Sequence, residues 1–210
     1  ASALLARGMG ADDAIVIMSG NSVDHLILSL AAQYVGVPVV PLAEQYSLIP
    51  EAHPRLTFVL DKVQPRMAFV DDAARYAGAL ALPQLAGVEI VTSRPAGIGR
   101  DLTDFADFLS HELHPELEAA HNDVGPDTLA KIMFTSGSSA DPKGVLTTHQ
   151  MLCVNQAQQV VVMPYLTDKP PRITDWLPWN HVFGGSANTN MMLSNGGTLH
   201  IDSGKPTGRG

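Results

Sequence analysis

At 210 residues the chain holds enough material for one large domain or two small ones, each with an ample core. Its net charge of −8, from 13 basic and 21 acidic residues with no basic run, argues against a nucleic-acid-binding domain. Charged residues make up only 16% of the sequence, below the ~25% usual in soluble domains, which suggests that part of the surface is covered by something outside these residues.

A single cysteine, Cys153, rules out an internal disulfide framework and fits a reducing, cytoplasmic setting. It lies among Met151, Leu152 and Val154, so a buried packing role is expected for it. The longest apolar runs, residues 14–18 and 160–163, fall far short of the ~20 residues that span a bilayer. Arg7 interrupts the apolar start, so no signal-peptide pattern is present.

Residues 1–9 read as the tail of a helix closed by Gly8 and Gly10, and the chain is therefore expected to start inside an element of a longer protein. Residues 14–18 read as a buried strand and 22–35 as a helix. Val23, Leu26, Ile27, Leu30, Ala31 and Tyr34 recur at helical spacing and are expected to form its buried face. Asp24 suits the dipole at its start, and Gly36 with Pro38 marks its end. His25 falls on or near the apolar face, where a packed or rim histidine is a better reading than a ligand.

Residues 37–42 form the next strand, completing a β-α-β unit that implies a parallel pair. A second cycle follows: helix 56–63, strand Met67–Val70, an Ala-rich helix 71–82 and strand 88–92. The fold class is accordingly α/β, a parallel-rich sheet flanked by helices. A short helix is expected over 101–110, ending an α/β subdomain of residues 1–110, and 111–128 reads as a polar connector. His111 and His114 in that connector stand three apart and Pro115 follows, which fails the four-residue spacing of a zinc helix, so no metal ligand is assigned.

Residues 132–149, IMFTSGSSADPKGVLTTH, are the most informative stretch. An apolar run leads into a Thr/Ser/Gly-rich loop closed by Pro142-Lys143-Gly144, and a β-branched run resumes at Val145, so strand, loop and strand are expected. Thr135, Ser136, Ser138 and Ser139 place four hydroxyls around Gly137, and Lys143 adds a mobile cation. Hydroxyls and free N–H groups in a tight turn form an anion-binding concavity, for which a polyphosphate is the natural ligand. The Walker pattern fails because Pro142 precedes Lys143 and Gly144 follows it. The dinucleotide fingerprint fails because a strand, not a helix, comes next. Residues 149–163 then read as a Gln-rich helix, 173–177 as a strand ending at Pro178, and 198–201 as a last strand.

The loop resembles the phosphate loop of the adenylate-forming superfamily, which includes acyl- and aryl-CoA synthetases, luciferases and peptide-synthetase adenylation domains. Their pattern, aromatic-T-S-G-[ST]-T-G-x-P-K-G-V, is met at Phe134, Thr135, Ser136, Gly137, Ser138, Pro142, Lys143, Gly144 and Val145. Ser139 stands for a threonine and Ala140 for a glycine. If that position needs φ > 0, alanine costs on the order of 1 kcal/mol there. A second segment, Trp176 through Gly185, carries Pro178, His181 and Gly184 at the spacing of the family's P-x-x-H-x-x-G, 38 residues beyond Lys143 and in the family's order. The wording LPWNHVFGG followed by NGGTLHIDSGKPT is most similar to feruloyl-CoA synthases and related aryl- or acyl-CoA ligases, long-chain-fatty-acid ligases among them.

The resemblance implies the large N-terminal domain of an enzyme that activates a carboxylic acid with ATP and passes the acyl group to CoA, with Mg2+ bridging the phosphates. Thr135, Ser136, Gly137, Ser138 and Ser139 would hold the β- and γ-phosphates, and Lys143 would add charge to the same site. His181, as the catalytic residue, would sit beside the reacting carboxylate or gate the passage for CoA. Partners would be a small carboxylic acid, aromatic or fatty, with ATP and CoA, no nucleic acid and no membrane span; the oligomeric state is left open. The Tyr-Gly-x-Thr-Glu and Thr-Gly-Asp segments and the small C-terminal domain are not found in these residues. Residues 129–210 are therefore expected to be a phosphate-loop segment of a partial domain, inactive alone and retaining no tightly bound cofactor. The rival reading is a non-catalytic phosphate-binding or interaction module.

Overall fold

The computed structural model describes residues 1–135 and 141–204. Four short, largely apolar segments, β1 (Ile15–Ile17), β2 (Val39–Pro41), β3 (Met67–Val70) and β4 (Glu89–Thr92), belong to a seven-stranded sheet with the two-residue polar edge strand β5 (Thr103–Asp104). Two longer strands, β6 (Leu129–Thr135) and β7 (Lys143–Thr148), complete it in the order β5-β4-β3-β1-β2-β6-β7. Every neighbouring pair is parallel except β6 and β7, which pair antiparallel on either side of residues 136–142. The fold is thus a mostly parallel sheet flanked by helices. A small parallel pair, β8 (Arg172–Asp175) and β9 (Thr198–Ile201), stands apart from it.

Strands buried on both faces need continuous apolar sequence, which explains why β1 reads Ile-Val-Ile and β3 Met-Ala-Phe-Val. The pleat divides them between two cores. Val16, Val40, Ala68 and Val70 face one, packed with Leu56, Val59 and Leu60 of α4 (His53–Val63). Ile15, Ile17, Met67 and Phe69 face the other, with Leu28 and Ala32 of α2 (Val23–Tyr34) and Phe105 of α6 (Phe105–Leu109). The remaining helices are α1 (Ser2–Leu5), α3 (Glu44–Leu48), α5 (Ala77–Leu80), α7 (Leu117–Asn122), α8 (His149–Val162) and α9 (Thr189–Ser194). None of the described helices is long and apolar enough to cross a membrane.

The helix at 22–35 forms as expected, with Ser22 Oγ accepting from the His25 amide at its N-cap. Its buried face is a different one. His25, Leu28, Ser29 and Ala32 pack inward, whereas Val23 is 63% exposed and Ile27, Leu30 and Tyr34 lie outside. Both stripes have helical period, and the sheet takes the one with small residues, Ser29 and Ala32, which let the helix approach. Tyr34 is covered on one side by the ring of His121, stacked at 3.8 Å, which fastens the connector helix α7 to α2.

Three further expectations change. The Ala-rich helix over 71–82 shrinks to α5, because Asp72 Oδ1 accepts from the Arg75 amide and offers the backbone a turn instead of a helix start. Cys153 is exposed together with Met151 and Val154, since among the described residues of α8 only Gln156 is buried. The strand expected to reach residue 177 ends at Asp175, and the Gly-rich stretch beyond it is helical: a π-helical turn, Phe183–Asn188, runs into α9.

Candidate active site

In a parallel sheet the loops that leave the carboxyl ends of the strands converge, and ligands collect there. Here those loops enclose an open cleft of about 1160 Å3. Ser19, Gly20 and Asn21 reach it from the end of β1, Leu42 to Tyr46 from β2, Asp71 from β3, and Phe134 with Thr135 from β6. The opposite wall is residues 176 and 178–182. Thr135 and His181, far apart in sequence, therefore face one cavity. One rim carries mixed charge, with Arg75 paired to Glu44 at 2.8 Å and the Tyr76 hydroxyl donating to the same carboxylate. Burial and that carboxylate push the Tyr76 phenol well above its ordinary range.

β6 owes its position to an alternation readable along its length. Ile132 and Phe134 pack into the α4-side core, so Lys131, Met133 and Thr135 face the other way, toward the His181 segment. Thr135 ends β6 directly opposite Lys143, and its hydroxyl donates to the Lys143 carbonyl at 3.4 Å. Lys143 is exposed and is not among the described residues that line the cleft. Ser136, Gly137, Ser138 and Ser139, expected to hold phosphates, lie outside the described residues.

The His181 segment is held from several sides by groups that sequence reasoning did not single out. The Asn21 side chain brackets it: Nδ2 donates to Leu177 O at 2.8 Å while Oδ1 accepts from the Trp179 amide at 3.0 Å. Asp175 receives the Leu177 amide on one oxygen and Asn188 Nδ2 on the other. Beneath the turn, three side-chain donors meet three successive carbonyls. Thr189 Oγ1 donates to Gly184 O at 2.7 Å, Lys131 Nζ to Gly185 O, and Gln156 Nε2 to Ser186 O at 3.4 Å. The glycines are required by close approach: a Cβ on Gly184 would stand 2.7 Å from Leu177 O, and one on Gly185 would overlap the Trp179 carbonyl.

Above this framework His181 is exposed toward the cleft. His25 supports the wall from behind. It is buried, meets the Trp179 ring edge-on with centroids 5.0 Å apart, and its Nδ1–H donates to Gly20 O at 3.1 Å. Burial pushes its pKa down to about 4, so it is a neutral packing residue. Lys131 is also buried, which lowers its pKa to about 8. Of the residues missed, Lys131 alone left a trace in the sequence, a cation in the otherwise apolar run LAKIMF.

The sequence profile described as AMP-binding enzyme matches residues 1–209. The chain belongs to the AMP-binding enzyme family. It is similar to the nonribosomal peptide synthetase ecdA of Aspergillus rugulosus, 26% identical over 151 residues, which is 72% of this chain and 2% of that protein. It is also similar to an indoleacetate–CoA ligase of Aromatoleum aromaticum, 29% identical over 95% of this chain and 37% of that protein. Among solved structures, ATP-bound MatB from Rhodopseudomonas palustris superposes with a TM-score of 0.68 and 26% identity, over 95% of this chain and 37% of that one. The chain thus spans little more than a third of the length of the CoA ligase it matches, and a far smaller share of the synthetase.

Proposed function

We propose that these residues form part of the adenylation site of an acyl- or aryl-CoA ligase. In the complete enzyme a carboxylate oxygen attacks the α-phosphorus of ATP, pyrophosphate leaves, and the CoA thiolate then displaces AMP from the acyl carbon. The observation that carries this reading is the meeting of Thr135 and His181 in one cleft at the carboxyl ends of the strands.

Thr135 and the loop hydroxyls of Ser136, Ser138 and Ser139, with Gly137 giving close backbone approach, hold the β- and γ-phosphates, and Lys143 adds charge. Positioning and charge neutralisation supply most of the catalysis in chemistry of this kind, and Mg2+, when bound, neutralises the phosphates further. His181 touches the reacting carboxylate or the path of the thiol. Trp176 and Trp179, the tryptophans that line the cleft, favour an aromatic or long apolar acid, of the feruloyl, indoleacetyl or fatty type. The setting is cytoplasmic, and the 210 residues alone catalyse neither step.

Titration calorimetry of this chain with ATP, compared with Lys143→Ala, tests the phosphate site, and a several-fold weaker affinity in the variant is expected. Acid-dependent exchange of pyrophosphate into ATP by the complete enzyme, across hydroxycinnamic, indoleacetic and fatty acids, tests the reaction. Absence of exchange with every acid, together with unchanged ATP affinity in Lys143→Ala, overturns the reading. Formation of acyl-CoA by the 210-residue polypeptide overturns its expected inactivity.

A further inference from the structure

Among the described residues, Lys131 has no counter-ion suited to its burial. It is the third residue of β6 and only 8% exposed. The ion pairs among the described residues do not include it. Of the residues that share its small enclosure, including Ser29, Gln33, Trp179 and Asn190, the one titratable side chain is His25, which is neutral. An ammonium removed from water without a carboxylate is disfavoured, and an apolar side chain of the same length would fill the space at lower cost. What the ammonium does, and a methyl group cannot, is donate to Gly185 O.

That carbonyl is well placed to control His181. The Gly185 amide donates back to His181 O at 2.8 Å, so two hydrogen bonds lead from the ammonium to the backbone of the exposed histidine. The other donors beneath the turn, Thr189 and Gln156, are neutral and belong to helices. Lys131 belongs to the strand that ends in Thr135 four residues later, about 13 Å along the same face. Among the described residues, the weak contact of Ser186 Oγ with Met133 Sδ, 3.9 Å, is the other side-chain hydrogen bond between the same two elements.

We propose that Lys131 is a positioning residue whose ammonium, through the Gly185 carbonyl, fixes the turn presenting His181 in register with the strand that carries Thr135. Its service to catalysis rests on the ligase reading above; the anchoring itself does not. A charge-assisted hydrogen bond suits the task, being roughly twice as strong as a neutral one.

The test compares Lys131→Met, which keeps length and loses the donor, with Lys131→Arg, which keeps the charge. Hydrogen exchange of the 210-residue chain at pH 7 is expected to show protection across residues 181–190 falling about tenfold or more in the methionine variant. Protection in β1, β3 and β4 stays unchanged, the melting temperature does not fall, and arginine restores part of the loss. In the complete enzyme, Lys131→Met lowers kcat for pyrophosphate exchange about tenfold and leaves KM for ATP within about twofold. Unchanged protection at 181–190 overturns the proposal, as does a uniform loss across the sheet, which would mark a general fold role. A raised KM for ATP with kcat intact also overturns it. An unsubstituted enzyme without exchange activity overturns the ligase reading instead, and the hydrogen-exchange comparison then decides the anchor by itself.

Discussion

Asn21 joins the first loop of the chain to a segment more than 150 residues later, and its removal has a calculable consequence. Asn21→Ala deletes a donor to Leu177 O and an acceptor for the Trp179 amide, both in partly buried surroundings. Each such bond contributes about 0.5–1.5 kcal/mol net, and a partner left dry costs more, so a loss of about 1–3 kcal/mol is expected. For a chain of this length each kcal/mol corresponds to about 2–4 °C, which puts the melting temperature ~2–12 °C lower by differential scanning calorimetry. Asn21→Asp separates shape from hydrogen bonding. Its carboxylate still accepts from Trp179 but turns a second oxygen toward the Leu177 carbonyl, so at pH 7 it is expected to be at least as destabilised as the alanine variant. An alanine variant within about 0.5 kcal/mol of the parent, or an aspartate variant equal to it, refutes the bracket.

Gly185→Ala places a methyl group against the Trp179 carbonyl, and relief requires the turn or the 177–179 segment to move. The denaturant midpoint is expected to report a loss of about 2–4 kcal/mol. His25 gives a pH prediction: its pKa falls from 6.5 to about 4 on folding, so between those values the unfolded chain binds more protons. Stability is complete above pH ~6.5 and is lost as pH falls toward ~4, by roughly 3 kcal/mol. Urea midpoints between pH 7 and 4 measure it, and His25→Gln is expected to flatten that slope; an equal slope in the variant would assign the acid sensitivity elsewhere.

What could be read from the sequence follows from the range over which each signal acts. The central strands were legible because burial on both faces forces continuous apolar runs, and Met67–Val70 begins and ends where the run does, whereas the polar β5 lies in a stretch expected to be helix. Thr135 and His181 each stand in a contiguous string that singled them out, whereas their shared cleft depends on the fold. The face of α2 was not, because two stripes of equal period competed and the choice was made by the sheet surface it packs on. Asn21, Asp175 and Gln156 are ordinary polar residues by composition, and their partners lie in other elements, so no local pattern sets them apart from solvated ones. Lys131 is intermediate: a lone cation within an apolar strand signals a buried partner but not which carbonyl it is.

The physical demands on residues 175–189 explain why so many long-range polar contacts converge there. A π-helical turn is uncommon and recurs near functional sites, since it displaces side chains relative to a regular helix. Apolar packing alone would set such a turn loosely, because Gly184 and Gly185 offer no side chains to interlock. Directional bonds replace that packing: Asn21 and Asp175 fix the entry, and Thr189, Lys131 and Gln156 fix three carbonyls in succession. The result is a rigid underside with an exposed imidazole above it, so that the position of His181 is set by residues of β6, α8 and the β1 loop, none of which needs to touch a substrate.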